Sequence, residues 1–316
     1  MSASRYRSRI EPVDSDVPRP RWSVMIPTYH CAGFLAETLR SVLAQDPGPE
    51  AMQIEVVDDA SDQDDPASVV AEIGRGRVGF HRQTANVGHI ANFDTCLRRA
   101  RGEIVHLLHG DDLVQPGFYA SLQQGFDAVP DLGAAFCRPT FIDSGGETLS
   151  IAPAEAEESG LMADAIPRLA EEQRIMTPSI VVRRAVYEAL GGFDRRLVCS
   201  EDWEMWVRIA ARYPVWYEPQ PLARYRMHDN SNTGRNVRSG KDMAYTRRAI
   251  EIFQDYLPAD SAAKIVAKAR ACYARTALAN AAQLRGQRDW TGAFNQVREA
   301  FLLSPKVVLS RLLGVG

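Results

Sequence analysis

The chain has 316 residues, 45% of them hydrophobic and 24% charged, with a formal net charge of −3. This is enough to bury a full core in about two domains, and it excludes a disordered or low-complexity chain. It supplies no global basic field for nucleic acid or an anionic bilayer, so any polyanion must be held locally.

Residues 1–21 are polar, contain Arg and Pro, and lack the apolar core of a signal peptide, so they read as a flexible tail. Trp22-Ser23-Val24-Met25-Ile26 reads as a buried strand, followed by a helix whose apolar residues Phe34, Leu35, Leu39, Val42 and Leu43 recur at helical spacing. A second strand is predicted at 53–57, a helix at 66–73, a third strand at 78–81, a helix at 91–100 and a fourth strand at 104–108. This alternation predicts an α/β fold with a mostly parallel, Rossmann-like sheet flanked by helices. A helix at 202–212 and an extended stretch at 215–222 follow.

From about Lys241 the chain turns helical and Ala-rich. Residues 274–283, a break at Gly286, then 290–303 ending at Pro305 read as a helical hairpin like one tetratricopeptide unit. The expected organisation is a catalytic body over 22–240, with halves 22–115 and 116–240, and a helical C-terminal subdomain over 241–316. Residues 307–313 read either as a buried terminal helix or as a peripheral membrane contact.

Five scattered cysteines without CxxC spacing argue against a disulfide framework or a zinc site and fit a reducing cytosol. No run approaches the roughly 20 apolar residues that span a bilayer. The chain reads as cytoplasmic, with the inner face of a membrane as its one candidate anchoring point.

In a parallel sheet, ligands sit beyond the carboxyl ends of the strands. Those ends carry Pro27-Thr28-Tyr29, Asp58-Asp59-Ala60-Ser61-Asp62, Asn86-Val87-Gly88 and His109-Gly110-Asp111-Asp112. So many carboxylates on one rim repel one another unless a cation or a donor-rich ligand sits among them. Asp111 and Asp112 can bind a divalent cation that bridges to a diphosphate, or one of them can simply cap the segment that follows; the crowding favours the cation. Gly74-Arg75-Gly76-Arg77-Val78-Gly79 matches the dinucleotide fingerprint letter for letter. It precedes a strand instead of following one, so it is rejected as a cofactor loop.

Glu201-Asp202-Trp203 opens a helix, where a carboxylate is an N-cap or a fixed catalytic base. Trp203 and Trp206 read as packing, with sugar stacking as the alternative. Gly191-Gly192 would let a substrate approach the backbone closely. Arg226 is a solvated arginine or a phosphate partner, and His228 a surface histidine or a ligand. Cys199 has no base nearby in sequence and is not taken as a nucleophile.

The motifs Val24-Met25-Ile26-Pro27-Thr28-Tyr29, Val57-Asp58-Asp59-Ala60-Ser61-Asp62, Asn86-Val87-Gly88, Gly110-Asp111-Asp112, Gly191-Gly192-Phe193-Asp194 and Glu201-Asp202-Trp203 occur in that order. Together, over roughly 23–232, they resemble the family 2 inverting glycosyltransferases of the GT-A fold. The resemblance implies that Pro27, Thr28 and Tyr29 line the base and ribose pocket. Asp59 would bond the base, Asp58 would support its turn, Asn86 would lie near the nucleotide, and Asp111 would contact the ribose. Asp112, with His228, would bind Mn²⁺ or Mg²⁺. Asp202 would be the general base, with Gly191, Gly192, Glu201 and Trp203 on the acceptor side.

Many relatives carry another Asp where this chain has His109, which leaves the metal more weakly held or aided by that imidazole. The implied donor is a nucleoside diphosphate sugar, UDP favoured, and the implied acceptor a glycan or lipid-linked hydroxyl in cell-surface polysaccharide synthesis. A nucleotidylyltransferase would need a Gly- and Arg-rich loop where Pro27-Thr28-Tyr29 stands. A non-catalytic scaffold of the same fold has the missing first carboxylate as its only support.

Overall fold

The computed structural model describes residues 3–14, 18–227 and 232–313. The chain packs as two units. One comprises Met1–Ala163, Ile175–Arg195 and Arg212–Met227, the other Asp164–Arg174, Arg196–Ala211 and His228–Gly316.

The chain begins with β1 (Trp22–Thr28), α1 (Ala32–Leu43), β2 (Met52–Asp58), α2 (Pro66–Gly74), β3 (Gly79–Arg82), α3 (His89–Arg99) and β4 (Ile104–Leu107). Then come β5 (Leu113–Val114), α4 (Phe118–Ala128), β6 (Ala134–Ile142), β7 (Thr148–Ile151), β8 (Gly160–Leu161) and α5 (Ala165–Glu171). They are followed by β9 (Ile180–Arg183), α6 (Arg184–Leu190), α7 (Glu201–Ala210) and β10 (Val215–Arg226). Helices α8 (Asn232–Ser239), α9 (Lys241–Phe253), α10 (Ala262–Gly286), α11 (Trp290–Leu303) and α12 (Pro305–Leu312) close it.

All ten strands lie in one sheet, in the first unit, in the order β3-β2-β1-β4-β9-β6-β10-β5, with β7 on β6 and β8 on β10. Strands β1 to β4 are mutually parallel, as the alternation predicts. Beyond β4 the sheet is mixed: β9 runs antiparallel to β4 and β6, while β10 runs parallel to β6. Every residue of β1 is buried, as in a strand covered on both faces. Val24 and Ile26 share a core with Leu35, Leu39 and Val42 of α1 and with Val56 and Leu108. Because the chain leaves β1 toward β2 on one side and later adds β4 on the other, the carboxyl end of β1 is a switch point. The rejected glycine motif ends α2, with Arg75 as a left-handed cap, and Gly79 starts β3.

Within the segment expected to be a flexible tail, residues 6–11 are docked. Ile10 is 1% exposed. The Tyr6 and Ser8 carbonyls accept from the Arg195 and Gly192 amides, each at 2.9 Å, and the Glu11 carbonyl accepts from the Arg184 guanidinium at 3.1 Å. Long-range contacts fix it, and the segment has no periodicity that would announce them.

The helical unit draws in α5 and α7 from the middle of the chain as well as α8 to α12, so Glu201, Asp202 and Trp203 belong to it. Helix α10 extends well upstream of the predicted hairpin, to Ala262, and packs on α11. Asp289 caps α11 by accepting from the Gly292 amide at 2.8 Å. Among the described residues no helix is long and apolar enough to cross a membrane.

Candidate active site

Two turns meet at the carboxyl ends of β1 and β2. The Asp59 amide donates to the Thr28 carbonyl at 2.9 Å, continuing the β1–β2 ladder past the strand ends. Asp58 is fully buried and spends its carboxylate on the turn: it accepts from Ser61 Oγ at 2.6 Å and from Arg82 Nε at 2.6 Å. Asp59 grips the next motif instead, accepting from the Val87 and Gly88 amides at 2.8 and 3.0 Å. Burial raises its carboxyl above the usual range, and those two amides pull it back. Asn86 donates to the Asp59 carbonyl at 3.3 Å. Tyr29 is 46% exposed and stacks on His30, so it offers a flat aromatic surface at the rim.

The acidic turn sits against the same strand end. The Gly110 amide donates to the Pro27 carbonyl at 3.1 Å, and the Gly110 carbonyl accepts from Thr38 Oγ1 at 3.0 Å. A Cβ at Gly110 would lie 2.8 Å from Cys31 Sγ and 3.0 Å from Thr28 Oγ1, so only glycine lets the two turns close. Burial pushes the Cys31 thiol up to about 12, so it carries no thiolate chemistry.

Asp112 is 1% exposed. Its Oδ1 accepts the Arg226 amide at 2.8 Å, whereas its buried Oδ2 has no hydrogen bond and lies 3.6 Å from His109 Nδ1. Burial, and then the Asp111 charge, push this carboxyl well above the usual range, while Arg226 opposes both. Ligand atoms of His109, Asp111 and Asp112 lie within 4.8 Å of one another. Two carboxylates, one of them offering a buried oxygen without a donor, and an imidazole suit a divalent cation. The imidazole stacks on Phe93 at 5.3 Å, and Phe93 meets Phe193 edge-on at 5.4 Å.

Arg226 departs from both sequence expectations. It is neither solvated nor aimed at a phosphate but buried, with its guanidinium on the Asp111 carbonyl (2.8 Å), Glu37 (2.8 Å) and the Ser144 carbonyl (3.1 Å). Glu37 gave no signal as a site neighbour, since it falls on the polar side of an ordinary amphipathic helix. The expected His228 lies outside the described residues.

The Gly191-Gly192 turn also differs from expectation. What approaches its backbone closely is the protein's own N-terminal segment: a Cβ at Gly191 would meet the Ser8 carbonyl at 3.0 Å, and one at Gly192 would overlap Ser8 and Asp94. Arg7 pairs with Asp194 at 3.5 Å on the same turn.

In the helical unit, Asp202 sits in the first turn of α7, and its Oδ2 accepts from Gln173 Nε2 at 2.6 Å. The backbone amide of Gln173 donates to the Tyr273 hydroxyl at 2.9 Å. No sequence pattern marks Gln173, because it lies in the loop after α5. Trp203 cannot stack on a sugar: it is 1% exposed, donates to the Leu169 carbonyl at 2.6 Å and packs on Phe253 and Tyr273. Burial raises the Cys199 thiol to about 12, in keeping with its exclusion as a nucleophile.

The model of the family described as Glycosyl transferase family 2 matches residues 23–190, more than half of the chain. An uncharacterized protein of Mycobacterium tuberculosis is 29% identical over 244 residues, covering 73% of this chain and 75% of that protein. Among solved structures, S. aureus TarS 1-349 in complex with UDP-GlcNAc is similar at a TM-score of 0.69 and 16% identity, covering 93% of this chain and 92% of that one. The mannosyltransferase PcManGT of Pyrobaculum calidifontis, in complex with GDP-Man and Mn²⁺, is similar at a TM-score of 0.56 and 20% identity, covering 98% and 93%. The fold is that of the GT-A glycosyltransferases. The chain belongs to glycosyl transferase family 2.

Proposed function

We propose that the protein transfers a sugar from a nucleoside diphosphate donor, a UDP-sugar before GDP or dTDP, to an acceptor hydroxyl with inversion at the anomeric carbon. The observation that carries this is Asp112, a buried carboxylate with one oxygen fixed by Arg226 and the other without a hydrogen bond beside His109 and Asp111. Family membership and the nucleotide sugars bound by TarS 1-349 and PcManGT support the reading.

Asp112, Asp111 and His109 would hold Mn²⁺ or Mg²⁺, with His228 as a further ligand, and the bound ion would neutralise charge on the leaving diphosphate. Pro27, Thr28 and Tyr29 receive the base and ribose, Tyr29 by its exposed ring. Asp59 bonds the base through lone pairs left over from its two amide bonds, and Asn86 lies beside it. Asp111 also contacts the ribose. Asp202 takes the proton of the attacking hydroxyl, oriented by Gln173; such help is worth about 10²–10⁴ in rate. Glu201 stands beside it on the acceptor side. The acceptor class is a glycan or lipid-linked sugar of a cell-surface polysaccharide.

Thermal unfolding with UDP, GDP, dTDP and CDP, each with and without Mn²⁺, tests the site on wild type and Asp112→Ala. A ligand at 100 times its Kd adds about 2.7 kcal/mol. The expected result is a Mn²⁺-dependent shift with UDP that the variant loses. No shift with any nucleotide would overturn the proposal in favour of a non-catalytic protein of this fold.

A further inference from the structure

Helix α11 buries one face, through Gly292, Ala293, Gln296, Ala300 and Leu303, and turns the other to solvent. The solvent face is apolar. Trp290, Phe294, Val297 and Phe301 follow one another at spacings of four, three and four, within about 60° of arc at 3.6 residues per turn. Trp290 is 66% and Phe294 68% exposed. Helix α12 repeats the arrangement: Val308 is buried while Leu309, Leu312 and Leu313 are exposed. Single exposed hydrophobic residues need no explanation, but aromatic rows of this kind mark interaction sites.

The charge around these rows has one sign. Between residues 285 and 313 every exposed ionic side chain is a cation: Arg285, Arg288, Arg298, Lys306 and Arg311. The two carboxylates of that stretch are used internally, Asp289 as the cap on Gly292 and buried Glu299 between Arg247 at 3.5 Å and Arg298 at 3.9 Å. Five cations less two carboxylates make this stretch +3, which leaves −6 on the remainder of a chain of net −3. A second copy docked face to face through this surface would set cations against cations.

We infer that α11 and α12 form a docking surface for an anionic lipid bilayer. The aromatic and leucine side chains enter the acyl boundary, and the flanking Arg and Lys meet lipid phosphates. This goes beyond the sugar-transfer reading and does not depend on it.

Co-sedimentation of the full chain with vesicles of phosphatidylcholine, with and without phosphatidylglycerol, tests the inference. The wild type is expected to pellet with the phosphatidylglycerol vesicles and hardly at all with phosphatidylcholine alone. Arg298→Gln/Lys306→Gln/Arg311→Gln is expected to weaken binding roughly a hundredfold, as removal of about three phosphate-facing cations implies. Phe294→Ser/Phe301→Ser is expected to abolish it. Both leave the thermal unfolding temperature unchanged, since the altered side chains are solvent-exposed. Brominated lipid should quench emission in the wild type and much less in Trp290→Phe. Absence of binding to anionic vesicles overturns the inference, as does binding that both variants retain. So does a stable dimer in sedimentation velocity that Phe294→Ser/Phe301→Ser converts to monomer, which would give the surface to a second copy.

Discussion

Arg226 and Asp112 are 114 residues apart, yet the backbone amide of the first donates to the carboxylate of the second at 2.8 Å. The same arginine puts its guanidinium on the Asp111 carbonyl, so one residue of β10 sets both the position and the charge balance of the acidic turn. Arg226→Lys keeps the charge and loses the planar fork. It should cost about 2–3 kcal/mol in urea unfolding, because buried carbonyls lose their donors. It should also weaken Mn²⁺ binding, read by titration calorimetry.

Gly110→Ala places a methyl against Cys31 and Thr28. Overpacking of this kind costs about 1–3 kcal/mol, and it should push the acidic turn off the end of β1. We expect the Mn²⁺-dependent shift with UDP to disappear. Adding Cys31→Ala removes the nearest clash and should restore part of both stability and binding.

Asp202→Asn keeps the shape and removes the proposed base. Transfer should fall by about 10²–10⁴ while stabilisation by UDP and Mn²⁺ stays at the wild-type level. Gln173→Ala removes only the orienting bond at 2.6 Å and should cost less in kcat. Full transfer by Asp202→Asn would remove the base assignment.

His106 is buried on β4, with Nε2 on the Pro178 carbonyl at 3.0 Å and Nδ1 on the Tyr119 hydroxyl at 3.2 Å. Burial lowers it from 6.5 to about 3, so the folded ring is neutral. The unfolded chain therefore binds this proton first, and the contribution to stability falls as pH drops from 6.5 toward 3. Between pH 7 and pH 5 the loss is about 2 kcal/mol. His106→Gln should flatten the urea midpoint over that interval by a comparable amount, whatever it costs at pH 7.

Ile10 anchors the N-terminal segment beside the Gly191-Gly192 turn. Ile10→Ala should destabilise by about 2–5 kcal/mol in denaturant unfolding. A surface residue in a flexible tail would shift the midpoint hardly at all.

Strand β1 was legible as a mostly apolar run, as a parallel strand covered on both faces leaves, and β2 and β4 as short stretches rich in Ile, Val and Leu between turn residues. The acidic and turn-forming residues that follow them stood out against those runs. Strand β10 was legible only over 215–222; Arg226 at its end reads as a solvated arginine or a phosphate partner, not as a strand residue. Strands β6 and β9 drew no prediction, and the sheet beyond β4 is set by antiparallel pairings distant in sequence. Trp203 opens an amphipathic helix, where periodicity cannot separate a core-filling indole from one left open to a sugar. Ile10 sits in a short, mostly polar stretch with no helical or strand periodicity, and the bonds that dock this stretch, such as that from Arg184 to the Glu11 carbonyl, reach more than 170 positions along the chain.

The bond from Arg226 to Asp112 also bears on synthesis. A nascent chain that has just emerged past Asp112 holds that carboxylate without the strand that fixes it. The sheet can close around the acidic turn only after more than a hundred further residues have left the ribosome. Pairings of such high sequence separation form late and slowly. The fragment ending before β10 therefore exposes an uncovered strand edge beside an unanchored acidic loop, and ion binding at the turn would report on completion of the fold as much as on readiness for a donor.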